Sequence, residues 1–366
     1  MKIPLNDLKA QHDSIIGEIN AAIEKVISKS EFIGGEELDN FERNFANYCG
    51  KRYCVGASSG STALYVALKS LDVKKGDEVI IPVNTFAATA FAATLLGAKP
   101  VFADVNVDDF LINIDLIEGL ISKRTKAIIP VHLYGGVCDM DKIIEIAGRH
   151  KIKIIEDCAQ AHGSVYKGQK VPISEIGCFS FFPTKSLGAM GDAGCVVSSN
   201  EEFAKKCKMI ANQGRTDKYY HTIEGFNFRL DNLQTAVLNI KLKHLDSWLG
   251  KKRELASVYG RELKEIVGKQ ELNEEIVPSY YVYVIKTKNR DDLKKHLEAA
   301  GISSGVHYPI PLHLQPAFSY LGHKEGDFPV AERISKEILS IPMYAELGEE
   351  LQSKVIEEIK NFYFKE

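Results

Sequence analysis

The stretch Tyr53-Cys-Val-Gly-Ala-Ser-Ser-Gly-Ser-Thr-Ala-Leu64 reads as a short apolar strand that runs through small residues into a helix start. It opens an alternation that holds as far as Val197. Apolar runs at Tyr53–Ala57, Glu78–Pro82, Pro100–Ala103, Ala127–Val131, Lys153–Glu156, Gly177–Phe181 and Gly194–Val197 have strand length. Helical spacing fills the gaps between the first five, at Ser61–Leu71, Ala87–Leu96, Ile114–Ile121 and Met140–His150. Strands that are apolar throughout and alternate with helices predict an α/β fold: a mostly parallel seven-stranded sheet covered on both faces. Ligands of such sheets bind beyond the carboxyl ends of the strands. The last two strands depart from the pattern. Only the glycine-rich segment Phe182–Ala193 separates them, which suggests an active-site loop in place of a crossover helix.

On the N-terminal side, residues 5–30 read as a helix with apolar spacing through Ile15, Ile16, Ile19, Ala22, Ile23, Val26 and Ile27. Phe32-Ile-Gly-Gly35 interrupts it, and Glu36–Tyr48 is a second helix. On the other side, Asp231–Leu263 reads as a long helix, with a bend expected near Gly250. Beyond it, a strand at Val277–Ile285 and helices at Arg290–Ala300, Phe328–Leu339 and Leu347–Phe362 predict a small α+β C-terminal domain. The expected division is a large domain with the N-terminal helices over 1–245 and a small domain over 246–366.

The bulk composition narrows the function. The chain has 366 residues, 45% hydrophobic and 26% charged, ordinary for a soluble globular protein. A net charge of −3 with both signs interspersed argues against a nucleic-acid partner, which would require a basic surface. Seven cysteines, an odd number with no C-x-x-C, point to a reducing compartment and a cytoplasmic protein. Met1–Leu8 lacks the apolar core of a secretory leader, and no stretch approaches the roughly 18 apolar residues of a membrane span. No metal site is expected.

Four features carry chemistry. In Ala57-Ser-Ser-Gly-Ser-Thr62, Gly60 and Ser61 stand at a helix start, where backbone N–H groups and the helix dipole hold an anion such as a phosphate. The same residues also make an ordinary N-capped helix. Phe86 directly follows a strand end, where a ring can stack on a flat cofactor or belong to the core. In Glu156-Asp-Cys-Ala-Gln-Ala-His-Gly163, Asp157 ends a buried strand. Gln160 and His162 are candidates to meet a ring hydroxyl and a substrate or cofactor, while a strand-end Asp can equally cap a turn. In Ser180-Phe-Phe-Pro-Thr-Lys185, Ser180 is a candidate phosphate ligand and Lys185 a lone amine before a glycine-rich turn. A lysine and a carboxylate converging on one pocket suit pyridoxal 5′-phosphate (PLP), with the amine as Schiff base and the carboxylate on the pyridinium nitrogen. Gly188-x-x-Gly191-x-x-Gly194 is not a G-x-G-x-x-G fingerprint and precedes a strand, against a nicotinamide-dependent enzyme.

In this order the residues resemble the DegT/DnrJ/EryC1/StrS sugar aminotransferases, PLP enzymes of fold type I (aspartate aminotransferase-like). The likeness runs over nearly the whole chain, through Gly60-Ser-Thr-Ala-Leu64, Thr85-Phe86, Glu156–Gly163, Ser180–Lys185, Gly225-Phe-Asn-Phe-Arg229, His307-Tyr-Pro-Ile-Pro-Leu-His-Leu-Gln-Pro316, Phe328–Glu332 and Leu339–Met343. The resemblance implies that Asn227 reaches the phosphate of the neighbouring subunit's PLP, hence a homodimer with shared active sites. It also implies that His307 and Tyr308 line the sugar pocket. The Asn212–Tyr220 segment, with Arg215, would lie near the nucleotide sugar. Many relatives carry histidine where Gln213 stands, which leaves an imidazole role there without its residue. Arg229 is either structural or meets an acidic group. The implied reaction is transamination of a nucleotide-linked keto sugar with L-glutamate as amino donor. The His307–Gln315 pattern looks more like members acting at C3 of a dTDP-3-oxo-6-deoxyhexose than at C4. Dehydratase relatives lack the Schiff-base lysine, so Lys185 separates the chain from them. A non-catalytic regulatory protein on the same fold is the alternative from another class, and no sequence feature supports it.

Overall fold

In the computed structural model of the chain, residues 2–364 are described. Lys99–Ala103, Glu78–Pro82, Thr125–Ile128 and Lys153–Ile154 lie side by side in that order, all parallel. The chain then continues into Glu156–Asp157, which pairs in parallel with Ile176–Ser180. So one buried strand serves two neighbours in succession. Ile155 N–H donates to the Ile128 carbonyl, Asp157 N–H donates to the Pro130 carbonyl, and a Val131–Asp157 bridge joins the two halves. Gly194–Ser198 and Tyr53–Ala57 complete the far edge. Counting Lys153–Asp157 once gives seven strands. Gly194–Ser198 alone runs the other way, antiparallel to both its neighbours. The reversal follows from Phe182–Ala193: a parallel return needs a crossover, usually helical, and this segment has no helix. The carboxyl ends Ala57, Pro82, Asp157 and Ser180 therefore share one edge.

Helices Gly60–Ser70, Ala88–Thr94, Met140–His150 and Glu201–Ala211 cover the sheet. The expected helix at Ile114–Ile121 is reduced to a 3₁₀ turn, Ile114–Leu116, and a single α-turn, Ile117–Leu120. A run with a mid-segment glycine, Gly119, is too short to propagate a helix. Leu8–Lys29 and Glu36–Tyr48 pack on the long helix Asn232–Glu262. No bend occurs at Gly250; the helix dihedrals persist through it. Position 245/246 lies inside this helix. Leu238, Leu245 and Leu249 belong to the main core, and Leu255, Ala256 and Tyr259 to a second one.

That second core lies under a three-stranded antiparallel sheet, Gly268–Lys269, Tyr283–Lys286 and Ile338–Ile341. Helices Arg290–Ala299 and Glu349–Phe364 contribute to it, and Ile3 belongs to it as well. The run Val277–Ile285 is not one strand. Ile276–Val277 pairs with Val165–Tyr166, Pro278 cannot donate to a ladder, and pairing resumes only at Tyr283. Helix Pro329–Glu337 ends where Ile338–Ile341 finds Tyr283–Lys286 as partner, so the last residues of the expected Phe328–Leu339 helix are strand.

Under the sheet edge, Phe41, Phe45, Phe179 and Phe181 form a fully buried aromatic cluster. Phe45 meets Phe179 and Phe181 edge-to-face at 5.0 and 5.1 Å. Phe45→Ala should cost about 3–5 kcal/mol, as large-to-small changes in sealed cores do. A lower denaturation midpoint checks this, with the absorbance of bound PLP as a second probe.

Candidate active site

Each site residue sits at a carboxyl end of the sheet or in the loop that follows. Ser59 caps helix Gly60–Ser70: its side chain accepts from Thr62 N–H, and Thr62 Oγ1 accepts from Ser59 N–H. That reciprocal box leaves Gly60 N–H and Ser61 N–H without a partner among the described residues. Ser180 lies against them so closely that a Cβ on Gly60 would stand 2.6 Å from the Ser180 Cβ. A Cβ on Gly194 would stand 2.3 Å from the Ser59 carbonyl carbon. Two free N–H groups, a hydroxyl and a helix N-terminus thus share a space that only hydrogen at positions 60 and 194 keeps open. This is a phosphate-sized anion cradle.

Asp157 is buried. One carboxylate oxygen accepts from Thr89 Oγ1 at 2.8 Å and the other from Ala159 N–H at 3.1 Å. Burial pushes its carboxyl above the usual range, against those two hydrogen bonds. No cation among the described residues pairs with it directly, so it remains available to a positively charged ring nitrogen. Lys185 follows a turn closed by its own N–H on the Phe182 carbonyl. Its Nζ lies 4.2 Å from the centre of the Tyr281 ring. Burial lowers its amine to about 8, and Asp157 opposes that shift. Phe86, 58% exposed, presents its ring beside Tyr308, with centroids 5.7 Å apart.

The structure changes several expected roles. Both ends of the Gln160 amide are engaged: Oε1 accepts from Tyr134 N–H at 2.7 Å, and Nε2 donates to the Tyr308 hydroxyl at 3.1 Å. In this arrangement Gln160 orients Tyr308. His162 is 0% exposed beneath the strand, against Phe179 and Phe181, and both ring nitrogens lack partners. Burial pushes it down to about 3, with Lys185 adding to the effect. A neutral, sealed imidazole cannot touch a substrate, so the expected substrate contact at His162 is corrected to a packing position.

His307 Nδ1 pairs with Ser340 Oγ at 2.8 Å, and its carbonyl accepts from the Tyr134 hydroxyl. Burial, then Lys185, lower its pKa, which places His307 within electrostatic reach of that amine. Arg215 and Asn227 are not brought to Lys185 in this chain. Arg215 binds Asn212 Oδ1 and the Lys218 carbonyl. Asn227 is exposed on a loop pinned to Ser58 by the Phe228 carbonyl. Gln213 is exposed at a positive φ of 61°, and Arg229 reaches Asn212 Oδ1 at 3.4 Å. Tyr281 and Thr89 were not legible beforehand. Nothing in the local pattern of either points to a residue 96 or 68 positions away.

Lys185 can be a neutral nucleophile near physiological pH, and Asp157 is a buried acid set to hold a pyridinium. With the anion cradle at the same edge, these residues fit PLP, and the sheet is that of a fold-type-I, PLP-dependent aminotransferase. The chain belongs to the DegT/DnrJ/EryC1/StrS aminotransferase family, whose model matches residues 13–360. It is 39% identical, over 99% of this chain and 96% of the relative, to dTDP-3-amino-3,4,6-trideoxy-alpha-D-glucose transaminase of Streptomyces venezuelae. It is 43% identical, over 99% of each, to a protein of Geobacillus stearothermophilus described as a pleiotropic regulatory protein. The crystal structure of S. venezuelae DesV in complex with a ketimine intermediate superposes with a TM-score of 0.98, at 39% identity over 99% of both chains. The protein is a PLP-dependent nucleotide-sugar aminotransferase.

Two outcomes follow from this geometry. Gly194→Ala forces the Ser59–Gly60 backbone away and should weaken PLP retention at least about tenfold, the loss expected when a preorganised anion site shifts; equilibrium dialysis of PLP measures it. In cofactor-free protein, competitive acetylation of Lys185 should rise with pH through about 8, not through the ordinary 10.5. Below 8 the amine is protonated and unreactive; above it the neutral nucleophile prevails.

Proposed function

We propose that the chain transfers the amino group of L-glutamate to C3 of a dTDP-linked 3-oxo-6-deoxyhexose. The observation that carries this reading is the pairing of Lys185 and Asp157 at one sheet edge under His307 and Tyr308, the pair that faces the sugar in the resemblance. The S. venezuelae relative, named for a dTDP-3-amino sugar, supports the nucleotide and the position.

PLP, when bound, supplies the electron sink that stabilises negative charge at the carbon losing its proton. The Gly60 and Ser61 N–H groups and the Ser180 hydroxyl would hold its phosphate. The Asp157 carboxylate, held by Thr89 and Ala159, favours a protonated ring nitrogen, each pKa unit being worth about 1.4 kcal/mol. Phe86 covers one face. The Lys185 amine would take a proton from the amino-donor carbon and give one back to complete the amine transfer, and would act in the reverse sense for the keto sugar. An amine near 8 suits both directions, because neither protonation state is far from reach. Tyr281 holds the amine from below, and Tyr308, oriented by Gln160, closes the cleft from the small-domain side.

The exposed Asn227, beside exposed Phe226 and Tyr219–Tyr220, supports a homodimer in which each chain completes the other's phosphate site. Arg215 on the same loop then meets the anionic part of the nucleotide sugar. Seven buried, unpaired cysteines support a cytoplasmic enzyme, and no helix among the described residues is long and apolar enough to cross a membrane. A purely regulatory role would leave the buried amine and carboxylate without employment.

Glutamate-dependent turnover should appear with dTDP-3-oxo-6-deoxyhexoses in a panel of dTDP-, UDP- and GDP-linked 3-keto and 4-keto sugars. Turnover confined to 4-keto substrates overturns the C3 assignment. Lys185→Ala should abolish both the yellow absorbance and the turnover, while Asp157→Asn should keep the colour and lose activity by about 100-fold or more.

A further inference from the structure

Beyond the residues already placed, the least expected side chain is Lys252, on the long helix Asn232–Glu262. It is 7% exposed, and no carboxylate among the described residues lies within ion-pair distance. Its two hydrogen bonds go to neutral oxygens, Ser186 Oγ at 3.5 Å and the Tyr281 carbonyl at 3.4 Å. A buried amine without a counter-ion costs stability, and an apolar side chain of the same length would avoid that cost.

Those two partners are not arbitrary. Ser186 is the residue next to Lys185, and Tyr281 carries the ring that faces the Lys185 amine. We propose that Lys252 is a positioning residue for the transamination, fixing Lys185 from both sides: the loop through Ser186 and the ring through the Tyr281 backbone. It does so from a third element, so the catalytic loop, the linking helix and the segment leading to the small-domain sheet meet at one nitrogen. The two amines also line one small cavity of about 20 Å³ with Asn6, Gln11, Thr184 and Ser186. That is room for about one water.

The other ionisable groups around the pair are Asp157 and His162 from the sheet, His307 from the small-domain side, Tyr281, and Glu346 and Tyr344 next to Lys252. Burial lowers Lys185 to about 8 and Lys252 to about 7, with Glu346 opposing the latter.

The proposal rests on the aminotransferase activity and is tested with Lys252→Met and Lys252→Arg in the PLP-loaded enzyme. In Lys252→Met, kcat should fall about tenfold or more while KM for both substrates stays within about twofold, the mark of a misplaced reacting group. Lys252→Arg should restore most of kcat. The proposal is overturned if Lys252→Met keeps the wild-type kcat, if it loses activity only in proportion to lost PLP and folded protein, or if Lys252→Arg is equally impaired. Should the wild type not transaminate any sugar of the panel, the functional reading fails instead. Competitive acetylation of Lys185 in cofactor-free protein still decides on Lys252, since a loosened Lys185 should change its acetylation rate at fixed pH in Lys252→Met and recover it in Lys252→Arg.

Discussion

A buried carboxylate, Asp157, and a partly buried amine, Lys185, stand at the same edge of one sheet without forming an ion pair. That arrangement is expensive: the effective cost of burying an unpaired charge is several kcal/mol. It persists because the rest of the fold holds it in place. Thr89 and Ala159 satisfy the carboxylate, and the Tyr281 ring faces the amine. The aromatic cluster of Phe45, Phe179 and Phe181 seals the strand beneath, at the further expense of a neutral, partnerless His162. PLP, with a cationic ring nitrogen and a carbonyl carbon, resolves both unpaired groups at once, so the apo arrangement is preorganised for that ligand.

The backbone supplies the rest of the preorganisation. Lys153–Asp157 changes sheet partner halfway along, which brings Asp157 to the middle of the carboxyl edge. One strand, Gly194–Ser198, runs backwards because Phe182–Ala193 is a loop, and this loop carries Lys185 back over the strand ends. Gly194 on that reversed strand touches the Ser59 backbone, and Gly60 touches Ser180. The anion cradle is thus the point where the two chain segments approach most closely, and a side chain at either glycine would separate them.

The second core completes the cleft. Tyr281, His307 and Tyr308 all come from beyond the long helix, whose own Lys252 is bound to Ser186 and to the Tyr281 backbone. The helix belongs to both cores, so the catalytic loop is tied to the packing of the small sheet as well as to its own. Asn227 and Arg215 stand apart from this arrangement on an exposed loop, as a second copy of the chain would require.

The sequence by itself determined most of the strands and helices around residues 53–198, the Ile114–Ile121 run and the short Val165–Lys170 hairpin excepted. Buried parallel strands and amphipathic helices have short-range periods that survive without their neighbours. For the same reason it determined that Gly60, Ser61, Phe86, Asp157, Ser180 and Lys185 follow strand ends, and hence that they meet at one edge. It was weaker where a partner outvotes local propensity: at Ile338–Ile341, which looks helical until Tyr283–Lys286 lies beside it, and at Val277–Ile285, which Pro278 divides. Only the tertiary structure decided that His162 is sealed, that Gln160 orients Tyr308, that Thr89 and Tyr281 meet the two central charges, and that Lys252 reaches Ser186 and the Tyr281 backbone. Each of these depends on a contact between residues far apart in the chain, and such contacts are set by how whole elements pack, which no local period encodes.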